Sequence, residues 1–220
     1  ARGRAHSARM KGICMKTMIL YRSKHHGNTK KLVDAVTAAF PEVEAIDVAT
    51  LGKNEYPDLS DYPLVGVASG IYYGKIDAGL SRVLSNVLHE GQQVFALMTY
   101  GGQDKWYGKD IDALCRMQRA NFITSYGCLG FDTWGPYKLM GGVQKGHPTD
   151  EEIQGAVDHY QRLMDEYEDI FLEQHEQYKK RAAWAAEHPA GGLLADVKRT
   201  VKKIVGPRGG SKGPDEGSDE

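Results

Sequence analysis

Residues 16–29 are KTMILYRSKHHGNT, an apolar run followed by a polar loop that contains one glycine. The apolar part, residues 16–21, has the length and composition of a buried strand. Apolar residues then recur at helical spacing from Thr29 to Phe40, and Pro41 ends that helix. A strand, a short polar loop and a helix in this order predict the start of a strand–helix–strand unit.

The rest of the chain continues this alternation of strands and helices. The predicted strands cover residues 43–49, 64–69, 93–99 and 124–131, and the predicted helices cover residues 77–89, 110–121 and a long segment that begins at 149. This order predicts an α/β fold, a doubly wound five-stranded parallel sheet with a C-terminal helical extension. Ligands bind such sheets beyond the carboxyl ends of the strands. The loops after the first, third and fourth strands are therefore the expected site.

The composition excludes several classes of protein. Hydrophobic residues make up 41% of the 220 residues, which is enough for a core and argues against wholesale disorder. No apolar run approaches the roughly 18 residues of a spanning helix. Cys14, Cys115 and Cys128 are too scattered for a disulfide framework or a zinc site, so no metal is expected and a reducing, cytoplasmic location fits. The net charge of −1 argues against a nucleic-acid partner.

The first loop has the residue types that bind a phosphate group. Backbone N–H groups at a helix N-terminus attract anions, and hydroxyl, amide and cationic side chains add further donors and charge. The alternative is an ordinary helix start with Asn28 as its N-cap. The loop lacks the longer glycine-rich pattern of a Walker A motif. Its predicted cofactor-binding residues are Ser23, Lys24, His25, His26, Gly27, Asn28 and Thr29.

The sequence Gly27-Asn28-Thr29, with Ser23 upstream, resembles the phosphate-binding loop of the flavodoxin family. The resemblance covers roughly residues 16–147. It implies the sheet order 2-1-3-4-5 and an FMN cofactor whose terminal phosphate lies in this loop. One departure is the loop length, because three residues separate Ser23 from Gly27 where the family loop has two.

The second loop follows the third strand. The resemblance implies that it places an aromatic ring against the isoalloxazine and a backbone carbonyl near the flavin N5. Gly70 and Gly74 would allow that peptide to change orientation, and Tyr72 or Tyr73 would stack on the ring. The alternative is a pair of tyrosines on the surface of a turn. The predicted contacts here are Ser69, Gly70, Ile71, Tyr72, Tyr73 and Gly74.

The third loop resembles the family pattern Gly-x-Asp-x-x-Tyr, and Gly102, Asp104 and Tyr107 keep that spacing. The resemblance implies that Tyr107 stacks on the outer flavin face, with Trp106 as an alternative stacking residue. Aromatic rings on both faces disfavour the electron-rich reduced flavin and exclude water. The predicted contacts are Thr99, Tyr100, Gly101, Gly102, Asp104, Trp106 and Tyr107.

A glycine-rich segment at residues 130–148 follows the fifth strand, and loops of that length are usually functional. Three interpretations stay open. The segment caps the cofactor with Trp134 or Tyr137, it is an ordered surface excursion, or it presents basic residues to an acidic substrate. Those basic residues are Lys138, Lys145 and His147.

The C-terminal part has helical composition from Thr149 to Glu187, and Thr149 with Glu152 forms a capping-box pattern. Its first half is expected to pack on the sheet. Its second half, from residue 173, is expected to project, to form a homodimer or to meet a partner. Residues 193–205 predict an amphipathic helix that docks on the protein, on a partner or on an anionic membrane surface.

The predicted organisation has four parts. Residues 1–14 are a disordered basic leader or lie upstream of a true start at Met15 or Met10. Residues 15–172 form the flavodoxin-like domain, residues 173–205 form the helical extension, and residues 206–220 form a disordered tail.

The predicted function is that of a low-potential electron-transfer carrier that binds FMN. The alternatives are an FMN-dependent oxidoreductase that reduces a quinone or similar acceptor, and a flavin-free interaction module. Residues 15–150 carry 14 basic and 14 acidic residues, whereas the well-known carriers are strongly acidic. That balance favours the oxidoreductase, while the lack of a visible substrate or nicotinamide motif favours the carrier. The expected partner is a redox protein or a small quinone-like acceptor.

Overall fold

A computed structural model of the chain describes residues 15–102, 104–133, 139 and 141–188. The predictions for residues 1–14, 193–205 and 206–220 lie outside this range. So do the predictions for Trp134, Tyr137 and Lys138.

Nine elements follow one another along the described chain. They are β1 (Thr17–Arg22), α1 (Asn28–Ala39), β2 (Val43–Asp47), β3 (Leu64–Gly70), α2 (Ala78–Val87), β4 (Gln93–Tyr100), α3 (Lys109–Met117), β5 (Asn121–Leu129) and α4 (Asp150–Glu187). The strands form one parallel sheet in the order β2-β1-β3-β4-β5, which confirms the predicted fold. Along the chain, β2 is added on one side of β1, whereas β3, β4 and β5 are added on the other side. This change of side creates the switch point beside β1 and β3.

The central strands are buried from end to end because helices cover both faces of the sheet. Every residue of β3 and of β4 is buried, as their continuous apolar runs predict. Two residues from neighbouring strands, Ile19 and Phe95, lie in register with Gly66 of β3. The absence of a side chain at Gly66 leaves the space that those two large side chains fill.

Side chains alternate between two core layers, one on each face of the sheet. On one face, α2 and α3 pack through Leu80, Leu84 and Ile111. On the other face, α1 and α4 pack through apolar residues at helical spacing, among them Leu32 and Tyr160. The buried hydroxyl of Tyr160 is 2.9 Å from Thr17 Oγ1, which fixes the first half of α4 against the start of β1.

Several predicted boundaries differ slightly from the structure, and two of them, in α3 and β5, differ by three or more residues. Helix α3 ends at Met117 instead of Asn121, because Arg119 adopts a left-handed conformation with φ of 56°. The Ala120 N–H then donates to Cys115 O, as in a Schellman motif. Strand β5 begins at Asn121, before the predicted Thr124, because Asn121 pairs with Gln93 of β4.

Helix α4 begins with the predicted capping box. The Glu152 N–H donates to Thr149 Oγ1 at 3.2 Å, and the Thr149 N–H donates to Glu152 Oε2 at 2.7 Å. Large buried side chains continue as far as Phe171. The chain divides into two compact units between Gln177 and Tyr178. Within the described residues, no helix has both the length and the apolarity needed to cross a membrane.

Candidate functional site

A cavity of about 490 Å³ opens where the carboxyl ends of the strands meet their loops. This volume lies in the range typical of small-molecule sites. The loops after β1, β3, β4 and β5 all contribute to its wall. The lining residues are His25, Asn28, Thr29, Gly70, Ile71, Tyr72, Tyr73, Gly74, Thr99, Tyr100, Gly101, Gly102, Asp104, Tyr107, Gly130, Phe131 and Asp132.

The three loops predicted from sequence meet at this cavity, and every lining residue that they contribute is a predicted cofactor contact. The other predicted contacts lie outside the lining: Ser23, Lys24, His26, Gly27, Ser69 and Trp106. The fourth wall of the cavity is formed by Gly130, Phe131 and Asp132. The sequence analysis gave their segment, residues 130–148, a role as a cofactor cap only as one of three interpretations, and it named none of these three residues as a contact. The only signal was the glycine-rich composition after the fifth strand.

Loop one, residues 23–29, turns sharply through two left-handed residues. His26 has φ of 54° and Gly27 has φ of 68°. Gly27 is the N-cap of α1 and provides no side-chain cap, so the alternative with Asn28 as N-cap is wrong. Asn28 is instead the first helical residue. The Lys30 N–H is bonded to Ser23 Oγ at 3.3 Å, which closes the loop on itself.

The Asn28 side chain is 7% exposed and lines the cavity. Its amide nitrogen donates to Phe131 O at 2.8 Å, which connects loop one to the fourth wall. Its carbonyl oxygen Oδ1 is buried and has no hydrogen-bond partner among the described residues. A buried acceptor of this kind is available to a hydrogen-bond donor in the cavity, such as a water molecule or a ligand hydroxyl group.

The three basic side chains of loop one, Lys24, His25 and His26, have different surroundings. Lys24 Nζ is 2.5 Å from the buried carboxylate of Asp77, the residue that caps α2. His26 Nε2 is 2.9 Å from Thr133 Oγ1, and its ring lies outside the cavity lining. Of the three, His25 lines the cavity, with its ring edge-on to Tyr72 at a centroid distance of 5.7 Å.

The buried Asp77 carboxyl shows why Lys24 is held in place. Burial by itself would raise the pKa of Asp77. The Lys24 ammonium and the N–H groups of Gly79 and Leu80 outweigh that effect and lower the pKa below its ordinary value. Lys24 is therefore engaged as the counter-ion of a buried carboxylate.

Loop two, residues 70–76, is a small hairpin over the cavity. Tyr72 and Lys75 form two backbone hydrogen bonds of 2.7 and 3.1 Å, and the two residues between them are left-handed, with φ of 52° at Tyr73 and 77° at Gly74. The Tyr72 ring faces inward, where burial raises the pKa of its hydroxyl. Tyr73 lies at the tip and is 86% exposed. A Cβ atom at Gly70 would lie 2.7 Å from the Tyr72 hydroxyl oxygen, so the close approach of that ring requires glycine.

Loop three, residues 101–108, carries two neighbouring aromatic residues, and only one of them lines the cavity. Tyr107 lines the cavity, and its ring packs on Tyr100 with a centroid distance of 5.2 Å. Trp106 is 54% exposed and lies outside the lining, with Lys109 Nζ 3.4 Å from its ring centroid. The inward-facing aromatic residue of this loop is therefore Tyr107.

The fourth wall is held by backbone hydrogen bonds and by close packing. The Gly130 N–H donates to Tyr100 O at 2.9 Å, and Asp132 forms a two-bond bridge with Val143. A Cβ atom at Gly130 would lie 2.8 Å from Asn28 Nδ2, so glycine is needed for the amide of Asn28 to reach Phe131.

Glu152 forms hydrogen bonds at both ends of the segment 130–148, which carries this wall. Its carboxylate accepts hydrogen bonds from the Thr149 N–H at 2.7 Å and the His147 ring at 2.8 Å, and at longer range from the Leu129 N–H. The His147 carbonyl in turn accepts the Phe131 N–H. Burial alone would raise the pKa of Glu152, but these hydrogen bonds outweigh it and lower the pKa.

We expect Glu152→Gln to lower the free energy of unfolding by about 1 kcal/mol at pH 7, because the charge-assisted bonds are lost. A lowered pKa stabilises the fold above the unfolded-state value near 4.5, and that stabilisation disappears as the pH falls through the lower native value. The difference between the two proteins should therefore shrink below pH 4.5. Urea unfolding at pH 7, 5 and 3.5 measures it, with the exposed Glu176→Gln as control. A difference that stays constant at all three values would contradict the prediction.

The chemistry available in the described residues is that of a binding cavity. Burial raises the pKa of both Cys115 and Cys128 to about 12, so neither thiol is a ready nucleophile. No group of three or more His, Cys, Asp or Glu among these residues is arranged to hold a metal ion. Inward-facing Tyr72 and Tyr107, the helix N-terminus and the unpaired Asn28 acceptor suit a planar aromatic ligand with a polar, anionic tail.

The chain resembles known proteins in sequence and in structure. A family model described as a flavodoxin domain matches residues 18–98. An uncharacterized protein of Methanocaldococcus jannaschii is 29% identical over 144 residues, which cover 64% of this chain and 93% of the relative.

The solved structures that this chain resembles include a flavodoxin and a flavoprotein. Oxidised flavodoxin 1 of Bacillus cereus is 11% identical with a TM-score of 0.49, and the match covers 69% of this chain and 98% of that one. A flavoprotein in complex with FMN from Lactobacillus acidophilus is 18% identical with a TM-score of 0.41, and the match covers 52% and 93% of the two chains.

Proposed function

We propose that the cavity binds FMN and that the protein carries electrons, because residues 18–98 match the model of a flavodoxin domain and the sheet has the order β2-β1-β3-β4-β5. The observation that carries the proposal is the convergence of the loops after β1, β3 and β4 on one cavity with a buried, unpaired acceptor at Asn28. Bound FMN supplies one- and two-electron redox chemistry.

The residues of the cavity fit the parts of FMN. The N–H groups at the start of α1 suit the phosphate, because a helix N-terminus attracts anions. The Asn28 Oδ1 acceptor suits a hydroxyl of the ribityl chain. Tyr72 and Tyr107 suit the two faces of the isoalloxazine and would exclude water from it.

The carrier function needs a bound flavin and an accessible edge, without a catalytic acid, base or nucleophile. We expect the electrons to pass to a redox protein or a small quinone-like acceptor. The expected location is the cytoplasm, which the free thiols of Cys115 and Cys128 support.

A second candidate is an FMN-dependent oxidoreductase that reduces a quinone or similar acceptor. The observation in its favour is the charge balance of residues 15–150, with 14 basic and 14 acidic residues. A neutral domain lacks the acidic field that steers a carrier toward basic partners, whereas a small neutral acceptor needs no such field.

The first experiment is reconstitution of the full chain with FMN, followed by desalting and a visible spectrum. We expect retained yellow colour at one FMN per chain and quenched flavin fluorescence, because the isoalloxazine would lie against tyrosine rings. A colourless protein that leaves FMN fluorescence unchanged would overturn both redox functions.

The neighbouring aromatic residues of loop three provide a matched pair of variants. We expect Tyr107→Ala to weaken FMN binding about fivefold, since an aromatic contact contributes roughly 1 kcal/mol beyond its area. Trp106→Ala is expected to leave the affinity unchanged, because Trp106 lies outside the cavity. Fluorescence titration of both variants checks this, and the opposite ranking would assign the stacking role to Trp106.

Turnover separates the carrier from the oxidoreductase. The reconstituted protein is mixed with NADPH and a soluble quinone, and oxidation of NADPH is followed by absorbance. Slow reduction without multiple turnovers supports the carrier. Fast multiple turnover supports the oxidoreductase.

A further inference from the structure

Exposed lysine and aromatic side chains lie on two loops at the mouth of the cavity. On loop two, Tyr73 occupies the hairpin tip and Lys75 is exposed after it. On loop three and at the start of α3, Lys105, Trp106 and Lys109 are exposed. We call these five residues the basic rim. Tyr73 also lines the cavity, whereas the other four lie outside its lining.

A hydrogen bond joins the two parts of the basic rim. The Ile76 N–H, next to Lys75, donates at 2.7 Å to Oδ2 of the half-buried Asp110, next to Lys109. Because each lysine is adjacent in sequence to one of the bonded residues, the two segments that carry the lysines lie side by side. The basic rim is therefore one surface beside the cavity.

The positive charge of the basic rim is not neutralised by ion pairs. With the residues that the structure describes, Lys75, Lys105 and Lys109 form none. Loops two and three contain a single acidic residue, Asp104. Residues 15–150 carry 14 basic and 14 acidic residues, so the local excess of lysine reflects where the charges are placed and not the composition of the domain.

Two of these charges contact the Trp106 ring. Lys109 Nζ lies 3.4 Å and Lys105 Nζ lies 5.4 Å from the ring centroid. Cation–π attraction holds both side chains, although two ammonium groups near one ring repel each other. A carboxylate that docks here relieves the repulsion, and it binds lysines that are already partly ordered. The exposed Trp106 ring adds an aromatic anchor of the kind that is enriched in protein interfaces.

On the premise, taken from the proposed function, that the cavity binds FMN, we propose that the basic rim docks an acidic redox protein. Carboxylates of this partner lie against the three lysines, and Tyr73 and Trp106 pack against its apolar atoms. Docking on the basic rim brings the partner to the open side of the cavity. The charge of this surface is opposite to that of the well-known acidic carriers, so the expected partner is acidic instead of basic.

A protein fits the basic rim better than a small acceptor or a membrane does. Four of the five residues lie outside the cavity lining, so a small acceptor inside the cavity leaves them in water. Asp104 and Asp132 line the cavity beside the basic rim, and the continuous negative charge of an anionic membrane would face both of them. A folded partner places its carboxylates opposite the lysines alone.

The first test uses the FMN-loaded full chain and two probe proteins of opposite charge. The acidic probe is a reduced plant-type [2Fe–2S] ferredoxin, from which one electron passes to the oxidised flavin. The basic probe is oxidised cytochrome c, which takes one electron from the reduced flavin. Stopped-flow absorbance gives the second-order rate constants at about 0.01 M salt, where charges act over about 30 Å, and at about 1 M salt, where they act over about 3 Å.

Charge-reversal variants locate the docking surface. Lys75→Glu and Lys109→Glu each reverse one charge of the basic rim, and glutamate suits the first turn of α3. Lys16→Glu is the matched control with the same change of net charge. Lys16 is exposed and precedes β1, so it lies at the amino ends of the strands, opposite the cavity.

At low salt we expect each variant of the basic rim to slow the acidic probe about tenfold and to accelerate the basic probe. Lys16→Glu should leave both rate constants within about twofold of the native values. At high salt the native protein and the charge-reversal variants should converge, because the charges are screened. Trp106→Ala should slow the acidic probe at both salt concentrations while FMN stays bound, because an aromatic contact is not screened.

A second test needs no flavin. A carbodiimide joins a lysine amine to a carboxylate and takes up the water that is lost, so it links only groups that are in contact. The flavin-free full chain is treated with carbodiimide and oxidised ferredoxin, and the linked peptides are identified by mass spectrometry. We expect links from Lys75, Lys105 and Lys109 that about 1 M salt abolishes, and none from Lys16.

Three results would overturn the inference, and they are distinguishable. If the basic-rim variants keep the native rate constant with ferredoxin, or if links form only at other lysines, the basic rim does not dock an acidic protein, although FMN binding stands. If phosphatidylserine vesicles bind the native chain but not Lys109→Glu, while the two probe proteins show no preference, the surface meets a membrane instead. If the native chain retains no FMN, the proposed function fails, and the carbodiimide test still decides whether the basic rim binds an acidic protein.

Discussion

Gly66→Val is expected to lower the free energy of unfolding by about 3 kcal/mol, because the larger side chain overpacks the centre of the sheet. A Cβ atom at Gly66 would lie 2.8 Å from Ile19 Cγ1 and 2.8 Å from Phe95 Cζ, closer than real contacts of this kind. Both neighbours are fully buried, and Phe95 also packs against Tyr160 of α4 at a centroid distance of 5.7 Å.

Thermal unfolding measures this prediction, and for a domain of this size the midpoint should fall by roughly 6–12 °C. Gly66→Ala should give a smaller loss of the same sign. Gly102→Ala is the matched control, because a Cβ atom there has no neighbour within 4 Å. Equal midpoints for Gly66→Val and the control would show that the core adjusts around Gly66.

Asn28→Asp is expected to weaken FMN binding about 100-fold, which corresponds to roughly 3 kcal/mol. The native amide nitrogen donates to Phe131 O at 2.8 Å, and the side chain is almost fully buried. An aspartate has no N–H at that position, so a carboxylate oxygen would face a carbonyl oxygen and the fourth wall would lose its connection to loop one. The added negative charge would also repel a phosphate bound at the start of α1.

Fluorescence titration with FMN and with riboflavin separates these two effects. Riboflavin binding reports the lost contact to the fourth wall, and the additional loss for FMN reports charge repulsion. Asn86→Asp is the matched control, since Asn86 also donates its amide to a carbonyl, Arg82 O at 2.8 Å, but on the exposed surface of α2. Native affinity in Asn28→Asp would exclude Asn28 from the flavin site.

The elements of the sheet follow from local sequence patterns. Buried strands such as β3 and β4 are continuous apolar runs, and the helices have apolar residues at three- and four-residue spacing, so short windows of sequence are sufficient. The predicted element boundaries were less accurate where a single residue in the left-handed conformation ends a helix. Arg119 ends α3 early because the Schellman hydrogen bonds compete with one more helical turn, and its side chain gives no sign of this.

The site was predicted as three loops because the topology of a doubly wound sheet brings them together. The contact residues of the fourth wall were not identified within the segment 130–148, because they are ordinary in sequence. Phe131 acquires its position only when its carbonyl meets Asn28, 103 positions earlier in the chain. A pattern confined to neighbouring residues contains no information about that pair.

The sequence by itself determined the order of strands and helices, the sheet topology and the three loops in which a flavin-type ligand is expected. The tertiary structure alone decided which side chains of those loops face the cavity. It placed His25 inward and bonded His26 to Thr133, 107 positions away, and it placed Tyr107 inward and Trp106 outward. The physical reason is that periodicity arises from contacts between near neighbours, whereas the direction of a loop side chain is set by the distant partner that satisfies its polar atoms or covers its ring.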